Sequence, residues 1–292
     1  MSDRLDKRYK QRKGSRMRLG GQVFLEQMNP ESWSEAMAEA GFRAAPCPVD
    51  GKDLAEVDDY VKAAGRRDIL ISEVGAWSNP ISRDEETRSR AVAYCIERLK
   101  LAEHIGAGCC VNIAGSRGAQ WDGPDPDNFS SETFELIVET TRRIIDAVKP
   151  ERTVFALEMM PWVFPDSADS YLDLIRAIDR PGFGVHFDPV NIISSPRAYY
   201  RNGELIEDFF RKLGPHIRNC HAKDIRLGSK LTVHLDEVIP GTGALDYRIF
   251  LTELNKLHPD TTLIIEHLST NEDYRQAAAY IRGVAAELGI RL

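Results

Sequence analysis

Short apolar runs alternate along this chain with longer segments that carry an apolar residue at every third or fourth position. The runs have the length of strands, and the longer segments have the period of helices that are packed on one face. We predict strands over Val23–Glu26, Arg43–Pro46, Asp68–Glu73, Cys109–Ile113, Thr153–Glu158, Phe183–Asp188, Ile217–His221 and Thr262–His267. The clearest helices are predicted over Arg88–Ile105, Glu132–Val148, Ala168–Ile178, Leu205–Leu213, Tyr247–Leu257 and Glu272–Leu288.

The composition of the strands indicates the kind of sheet. They are rich in Val, Ile, Leu and Cys without clear polar alternation, which is typical of a parallel sheet that is covered on both faces. Eight strand–helix units in one chain favour a closed (β/α)8 TIM barrel, a single α/β domain over residues 19–292. No Gly-rich phosphate loop follows the first strand, so a dinucleotide-binding fold is disfavoured.

The first 18 residues form a separate region that carries eight Lys or Arg and almost no apolar residues. We interpret residues 1–18 as a basic N-terminal arm and expect a solvated extension of the barrel. Contact with a neighbouring subunit or with nucleic acid is the alternative. Basic tails of this kind are common, which favours the simple extension.

Composition narrows the class of protein. The chain of 292 residues is 42% hydrophobic, with a net charge of −7 and a pI of about 5.6, which argues against binding to nucleic acid. No apolar run approaches the roughly 18 residues of a membrane helix, and no secretory signal follows Met1. The five cysteines form no CxxC pair, which is typical of thiols in a reducing compartment. We therefore expect a cytoplasmic protein without a membrane partner.

Metal-capable side chains stand near the ends of the last four apolar runs, at Glu158, Asp188, His221 and Glu266. The C-terminal ends of barrel strands meet at one mouth, so these four residues are expected to converge. Three carboxylates and one imidazole suit Mn²⁺, Mg²⁺ or Co²⁺ better than a structural zinc site. The alternative is that each acid bonds separately to a helix N-terminus or an Arg. As an explanation of all four residues together, this alternative is much the weaker one.

The segments LEMMPW, GVHFDPVN, CHAKD, IPGTGALDY and IIEHL, in this order, resemble the xylose isomerase-like TIM barrel superfamily. The branch that they resemble is the sugar phosphate isomerase/epimerase group, with ketose 3-epimerases and inosose dehydratases. The resemblance implies that Glu158, Asp188, His221 and Glu266 bind one divalent ion. Mn²⁺ is the expected ion, with Mg²⁺, Co²⁺ or Zn²⁺ as alternatives. It also implies that Glu158 and Glu266 are the catalytic pair.

The chemistry expected of such a site is proton abstraction next to a sugar carbonyl, through an enediolate that the metal stabilises. Return of the proton gives an epimerase or isomerase. Loss of a neighbouring substituent gives a lyase or dehydratase, similar to inosose dehydratases or C-glycoside deglycosidases. The alternative from another class is a barrel that binds a sugar or a protein without turnover.

The sequence departs from the family pattern in two places. Asn191 stands where many relatives carry a substrate-contacting His. The stretches that would supply the extra histidines of the related three-zinc endonucleases contain none, which argues against a nuclease. We expect a small-molecule sugar or sugar derivative as the partner and a homodimer or homotetramer, with a second subunit type as the alternative.

Further residues near the strand ends are candidates for binding substrate. They are His186, Asn191, Lys223, Trp77, Trp121 and Trp162. Lys223 is expected to hold a substrate oxygen, and the indole rings offer faces for a sugar or a barrier to water. A hydrogen-bonded core His and ordinary loop packing of the Trp side chains are the alternatives. Glu73 ends the third predicted strand and is interpreted as a salt-bridged residue on the rim of the mouth, with contact to a substrate hydroxyl as the alternative.

Overall fold

The computed structural model describes residues 17–292, so most of the predicted arm, residues 1–16, lies outside the described residues. The strands are β1 (Leu19–Gly20), β2 (Ala44–Pro46), β3 (Leu70–Gly75), β4 (Cys109–Ile113), β5 (Phe155–Glu158), β6 (Phe183–Phe187), β7 (Ile217–Ala222), β8 (Asp224–Leu227), β9 (Leu235–Val238) and β10 (Thr262–Ile265). The helices are α1 (Pro30–Glu39), α2 (Leu54–Arg66), α3 (Glu85–Ile105), α4 (Ser131–Val148), α5 (Ala168–Ile178), α6 (Pro196–Tyr200), α7 (Asn202–Leu213), α8 (Tyr247–Leu254) and α9 (Asn271–Glu287). Short 3-10 turns lie at Pro126–Phe129, Val190–Ile192 and Gly214–His216.

Strands β1 to β7 follow one another around a closed barrel, and β10 fills the place between β7 and β1. Every neighbouring pair in this barrel is parallel. Strands β8 and β9 lie outside it as an antiparallel hairpin. The predicted (β/α)8 barrel is confirmed, and the hairpin is an addition that the strand prediction did not contain.

The side chains of β5 show how the barrel is packed. Phe155 and Leu157 belong to the large core cluster that also contains apolar residues of the helices. Val154 and Ala156 belong to a second, smaller cluster. Because successive side chains of a strand point to opposite faces, Glu158 shares the face of Val154 and Ala156, the inside of the barrel. None of the described helices is long and apolar enough to span a membrane.

The prediction of the first strand is wrong. The barrel uses Leu19–Gly20, whereas Val23–Glu26 follows as irregular chain at the mouth with Phe24 46% exposed. A Cβ atom on Gly20 would lie 2.3 Å from the carbonyl oxygen of Ala44, so glycine permits the close approach of β1 and β2. Two residues are too few to give a periodic signal, and the apolar run next to them misled the prediction.

Candidate metal and active site

The inner face of the barrel is polar towards its C-terminal end. His186 on β6 lies in register with Asn219 on β7, and Asn219 lies in register with Thr262 on β10. Glu158 at the end of β5 is in register with His186. All four are buried. The mouth of the barrel is therefore built on a layer of hydrogen-bonding side chains rather than on aliphatic ones.

The four predicted ligands converge next to this layer. One donor atom from each of Glu158, Asp188, His221 and Glu266 lies within 4.8 Å of the others. The Nδ1 atom of His221 is 2.8 Å from Glu266 Oε1, 3.5 Å from Glu158 Oε1 and 4.0 Å from Asp188 Oδ2. Asp188 and His221 are fully buried, and the Glu266 side chain is 12% exposed. The predicted convergence is thus observed.

The donor atoms face one another without bonding to one another. Within residues 17–292, Asp188 Oδ2, His221 Nδ1 and Glu266 Oε1 are buried and have no hydrogen-bond partner. Their nearest neighbours are charged groups at contact distance that are not aligned for a hydrogen bond. Buried polar atoms normally have such a partner, so three unsatisfied atoms that converge fit a bound cation. Three oxygens and one nitrogen are a donor set for Mn²⁺ or Mg²⁺.

Lys223 is enclosed by the same carboxylates. Its Nζ atom lies 2.8 Å from Asp188 Oδ2, 2.7 Å from Glu266 Oε1 and 3.9 Å from Glu158 Oε1, and the residue is 2% exposed. Burial acts to lower the pKa of this ammonium group, but the surrounding carboxylates hold the pKa well above its usual value. Lys223 is therefore a buried, charged neighbour of the ligand set.

The pKa values of the ligands differ because their surroundings differ. Burial, with the charges of Glu158 and Glu266, raises the pKa of Asp188 to about 6, although Lys223 acts against this. For Glu266, burial favours the neutral acid, yet the charges of His221 and Lys223 outweigh it and lower the pKa. Burial alone would lower the pKa of His221, but three acids hold it well above its usual value.

Glu73 on β3 lies against the other ring nitrogen of His221. Its Oε2 atom is 3.3 Å from His221 Nε2 and 3.4 Å from His186 Nε2, and it accepts a hydrogen bond from Asn219 Nδ2. Burial acts to raise the pKa of Glu73, but the charges of the two imidazoles and their hydrogen bonds lower it to about 2. The interpretation of Glu73 as a rim residue is wrong, because Glu73 is 5% exposed and lies beside the imidazole of the predicted ligand His221. The sequence did contain a signal for this buried role, since Glu73 is an acidic residue inside an apolar strand.

Two other candidates contact this centre from the sixth strand and the turn after it. Asn191 Nδ2 donates a hydrogen bond of 2.8 Å to Glu158 Oε1. His186 is fully buried, its ring centroid lies 4.1 Å from that of His221, and its Nδ1 atom has no partner within residues 17–292. Asn191 therefore fixes one oxygen of Glu158, and His186 belongs to the layer beneath the ligands.

The three tryptophans occupy different places. Trp77 is 43% exposed and lines a cavity of about 490 Å³ together with Glu266 and Glu73. Trp121 is 39% exposed, and Trp162 packs against the core with its buried Nε1 atom unpartnered within residues 17–292. Trp77 thus shares a cavity with the predicted ligand Glu266.

A larger cavity of about 910 Å³ lies between α7 and α8, next to the residues where β7 and β10 begin. Its lining includes Glu204, Glu253 and His258 and none of the predicted site residues. Active sites of this fold lie at the opposite, C-terminal ends of the strands. We therefore place the site at the converging ligands.

The β8–β9 hairpin reaches the site through Glu237. Glu237 Oε2 lies 3.7 Å from Lys223 Nζ, and Oε1 lies 3.1 Å from Nδ1 of His267. His267 follows the ligand Glu266 and has a φ of 60°, a left-handed conformation that is uncommon for a residue other than glycine. The hairpin thus adds a fourth acid next to the ammonium group of Lys223.

Comparison with known proteins shows what the chain is similar to. The family model described as xylose isomerase-like TIM barrel matches residues 34–284. A xylose isomerase-like TIM barrel protein from Mycobacterium smegmatis, solved in complex with magnesium, has 14% identity over 93% of this chain and 97% of its own, with a TM-score of 0.66. No curated protein sequence matches the chain.

Two enzymes of known structure share the fold. The 3-keto-D-glucoside 4-epimerase of E. coli is 15% identical over 92% of this chain and 100% of its own, with a TM-score of 0.67. The probable 3-DHS dehydratase of Bacillus anthracis is 15% identical over 92% of this chain and 98% of its own, with a TM-score of 0.68. At such identities the similarity establishes the fold and leaves the reaction to be argued from the site.

Proposed function

Because the chain belongs to the xylose isomerase-like TIM barrel family, we propose that it is a metal-dependent enzyme that moves a proton next to the carbonyl group of a sugar. The reaction is an epimerisation or isomerisation. The observation that carries this proposal is the convergence of Glu158, Asp188, His221 and Glu266, with three unsatisfied buried atoms aimed at one another. A barrel that only binds a sugar has no need for such a centre.

These four residues would hold the ion, and we propose Mn²⁺ as the preferred one. When bound, a divalent ion supplies Lewis acidity to the carbonyl oxygen of the substrate. The rest of the chemistry belongs to side chains of the chain. Asp188 accepts a hydrogen bond of 3.0 Å from the backbone N–H of Val190, which fixes its orientation.

Glu158 and Glu266 are proposed as the proton-transfer pair. They end β5 and follow β10, which β6 and β7 separate in the barrel, so the two carboxylates can face a ligand from different sides. One carboxylate takes the proton from the carbon next to the carbonyl, and the C–H electron pair moves into the carbonyl group to form an enediolate. The other glutamate, in its carboxylic acid form, donates its own proton to the opposite face of that carbon and so inverts it, and the two side chains end with their protonation states exchanged.

Elimination is the second candidate, because it begins with the same proton transfer. If the enediolate expels a substituent from the adjacent carbon, the enzyme is a lyase or dehydratase. The fold similarity to a probable 3-DHS dehydratase supports this alternative. The substrate class is the same in both cases, a keto-sugar, a keto-glycoside or a cyclitol ketone.

The reaction is tested by incubation with ketoses and 3-keto-glycosides in D₂O with Mn²⁺, followed by NMR. Exchange at a carbon next to the carbonyl is expected, with or without release of a substituent. Glu158→Gln and Glu266→Gln should each slow exchange by about two to four orders of magnitude. Exposed Glu56→Gln is the matched control and should exchange at the normal rate. Normal rates in both metal-loaded site variants would make these glutamates ligands only.

Metal content is measured on the same samples. About one divalent ion per chain is expected, and Asp188→Ala and His221→Ala should lose it because the remaining donor set is incomplete. Full occupancy in the double variant would contradict the assignment. Several ions per chain would favour a nuclease.

A further inference from the structure

The ammonium group of Lys223 and the imidazole of His221 contact the same three oxygen atoms. Asp188 Oδ2, Glu158 Oε1 and Glu266 Oε1 lie 2.7 to 3.9 Å from Lys223 Nζ. The same atoms lie 2.8 to 4.0 Å from His221 Nδ1. A cation held by His221 and these oxygens would therefore be a near neighbour of a buried positive charge. Two like charges at such a distance repel each other strongly when they are shielded from water.

A fourth acid also lies near the ammonium group of Lys223. Glu237 Oε2 on β9 is 3.7 Å from Nζ, and Glu237 is held by His267 at 3.1 Å. Glu237 is not one of the converging ligands. The Lys223 side chain can thus exchange the ligand carboxylates for Glu237 by a small movement of its end, without losing an ionic partner.

The backbone of Lys223 is held in place, whereas the ammonium group at the end of its side chain can move between its acidic neighbours. The carbonyl oxygen of Lys223 accepts a hydrogen bond of 2.7 Å from the buried hydroxyl of Tyr247. The next residue, Asp224, is bound by the backbone N–H groups of Gly241 and Gly243. A lysine has four rotatable side-chain bonds, so its ammonium can move although its Cα cannot.

We propose that the ammonium group of Lys223 is the counter-ion of the ligand carboxylates when no metal is bound. When the metal binds, the ammonium group moves away from these carboxylates and pairs with Glu237. This regulation of the metal centre rests on the function proposed above. In the metal-free protein the ammonium neutralises carboxylates that would otherwise repel one another. When the ion arrives, the ammonium leaves the ligand oxygens and pairs with the hairpin. Lys223 thus lowers the metal affinity, and Glu237 restores part of it.

Metal titration of the full-length protein tests the role of Lys223. Lys223→Met keeps the length of the side chain and removes the charge, so Mn²⁺ should bind about tenfold more tightly or better. Lys230→Met removes an exposed charge from the tip of the same hairpin and should bind Mn²⁺ like the unchanged protein. Equal affinities of Lys223→Met and the unchanged protein would overturn the proposal.

Glu237→Gln tests the role of Glu237 as the alternative partner of Lys223. It also keeps the proposal testable if the Lys223→Met variant does not fold. Without the charge of Glu237, the ammonium loses the acid to which we propose it turns, so Mn²⁺ binding should weaken several-fold. Asp236→Asn is the matched control, because Asp236 is the exposed neighbour on β9 and its side chain points to the opposite face. If Glu237→Gln and Asp236→Asn bind Mn²⁺ with equal affinity, the proposed movement of Lys223 is wrong.

The outcomes separate this inference from the proposed function. If Lys223→Met binds Mn²⁺ more tightly and no sugar exchanges its proton, the inference stands and the proposed reaction fails. If sugars exchange and Lys223→Met gains no affinity, the reaction stands and the inference fails. Absence of Mn²⁺ binding in every variant would overturn both.

Discussion

At the scale of single residues, His221 is the centre of the site because each ring nitrogen meets a different set of acids. Its Nδ1 atom faces Glu266 at 2.8 Å, and its Nε2 atom faces Glu73 at 3.3 Å. A carboxylate behind a metal-binding imidazole fixes the ring orientation and the tautomer. We therefore propose that Glu73 positions the imidazole of the predicted ligand His221.

Replacement of Glu73 should weaken metal binding without removing a ligand. In Glu73→Gln the amide cannot accept hydrogen bonds from two imidazoles and an Asn with the strength of a carboxylate, so His221 is held less firmly. We expect a metal affinity that is about 10- to 100-fold lower, as measured by titration. The exposed Glu56→Gln variant should bind normally. Unchanged affinity in Glu73→Gln would mean that packing alone orients His221.

Metal binding should release a proton. The pKa of His221 is well above its usual value in the metal-free protein, so the ring is protonated at neutral pH. Because a ligand nitrogen must lose its proton, the affinity should rise with pH, by about tenfold per unit for one proton released. Below the pKa of Asp188, about 6, a second proton should steepen this dependence. Titration calorimetry in buffers of different ionisation enthalpy counts the protons, and a pH-independent affinity would contradict the prediction.

At the scale of elements, one carboxylate ties the hairpin to the loop before α8. Asp224 Oδ1 accepts hydrogen bonds from the backbone of Ile225 and Leu245, and Oδ2 accepts them from Gly241 and Gly243. Four N–H donors to one carboxylate satisfy both of its oxygens. This arrangement fixes the chain next to Lys223.

Gly243 leaves no room for a side chain in this arrangement. A Cβ atom there would lie 2.3 Å from Asp224 Oδ1 and 2.4 Å from the carbonyl oxygen of Ile225, so Gly243→Ala should destabilise the protein by about 1–3 kcal/mol. Gly283→Ala in α9 is the matched control, since no atom lies within 4 Å and alanine favours a helix. The free energy of unfolding from denaturant titration measures both. Equal stability of the two variants would show that the loop adapts.

At the scale of the whole molecule, the chain before β1 takes part in the barrel. Met17 is 3% exposed, and its N–H donates to the carbonyl oxygen of Arg291. Arg18 forms ion pairs with Asp260 at 2.7 Å and Asp68 at 3.0 Å. Met17 and Arg18, at the end of the predicted arm, are therefore joined to the barrel, whereas the prediction of a solvated extension concerns residues 1–16, which lie outside the described residues.

Two truncations separate these parts. A chain that begins at Met17 keeps the contacts of Met17 and Arg18 and should melt at nearly the temperature of the full chain. A chain with a new initiator Met directly before Leu19 loses the buried Met17 side chain and the Arg18 ion pairs. We expect a melting temperature that is roughly 5 °C lower. Equal melting temperatures would mean that these contacts add little to stability.

The same truncations test assembly. We propose that the chain forms a dimer or tetramer and that the basic arm can contact an acidic neighbour, since the net charge is −7. Light scattering of the chain that begins at Met17, across salt concentrations, should show dissociation if the arm joins subunits. An unchanged mass would make it a passive extension.

The sequence by itself determined the features that depend on neighbouring residues. Period and end signals placed α5 at Ala168–Ile178, as observed, and most strands to within a few residues. Four metal-capable residues at the ends of consecutive strands predicted one centre, because parallel strands of a closed barrel bring equivalent ends together.

Only the tertiary structure decided which atoms meet across the barrel. Glu73 and His221 are 148 residues apart along the chain, and their contact follows from the closure and register of the barrel. The places of β1, of the hairpin and of Lys223 among the ligand carboxylates likewise depend on long-range packing. Local sequence patterns indicate the hydrophobic period of a helix or strand and the residues at which it begins and ends. The distance between two side chains on different strands is set by how the whole chain packs, and no local pattern contains it.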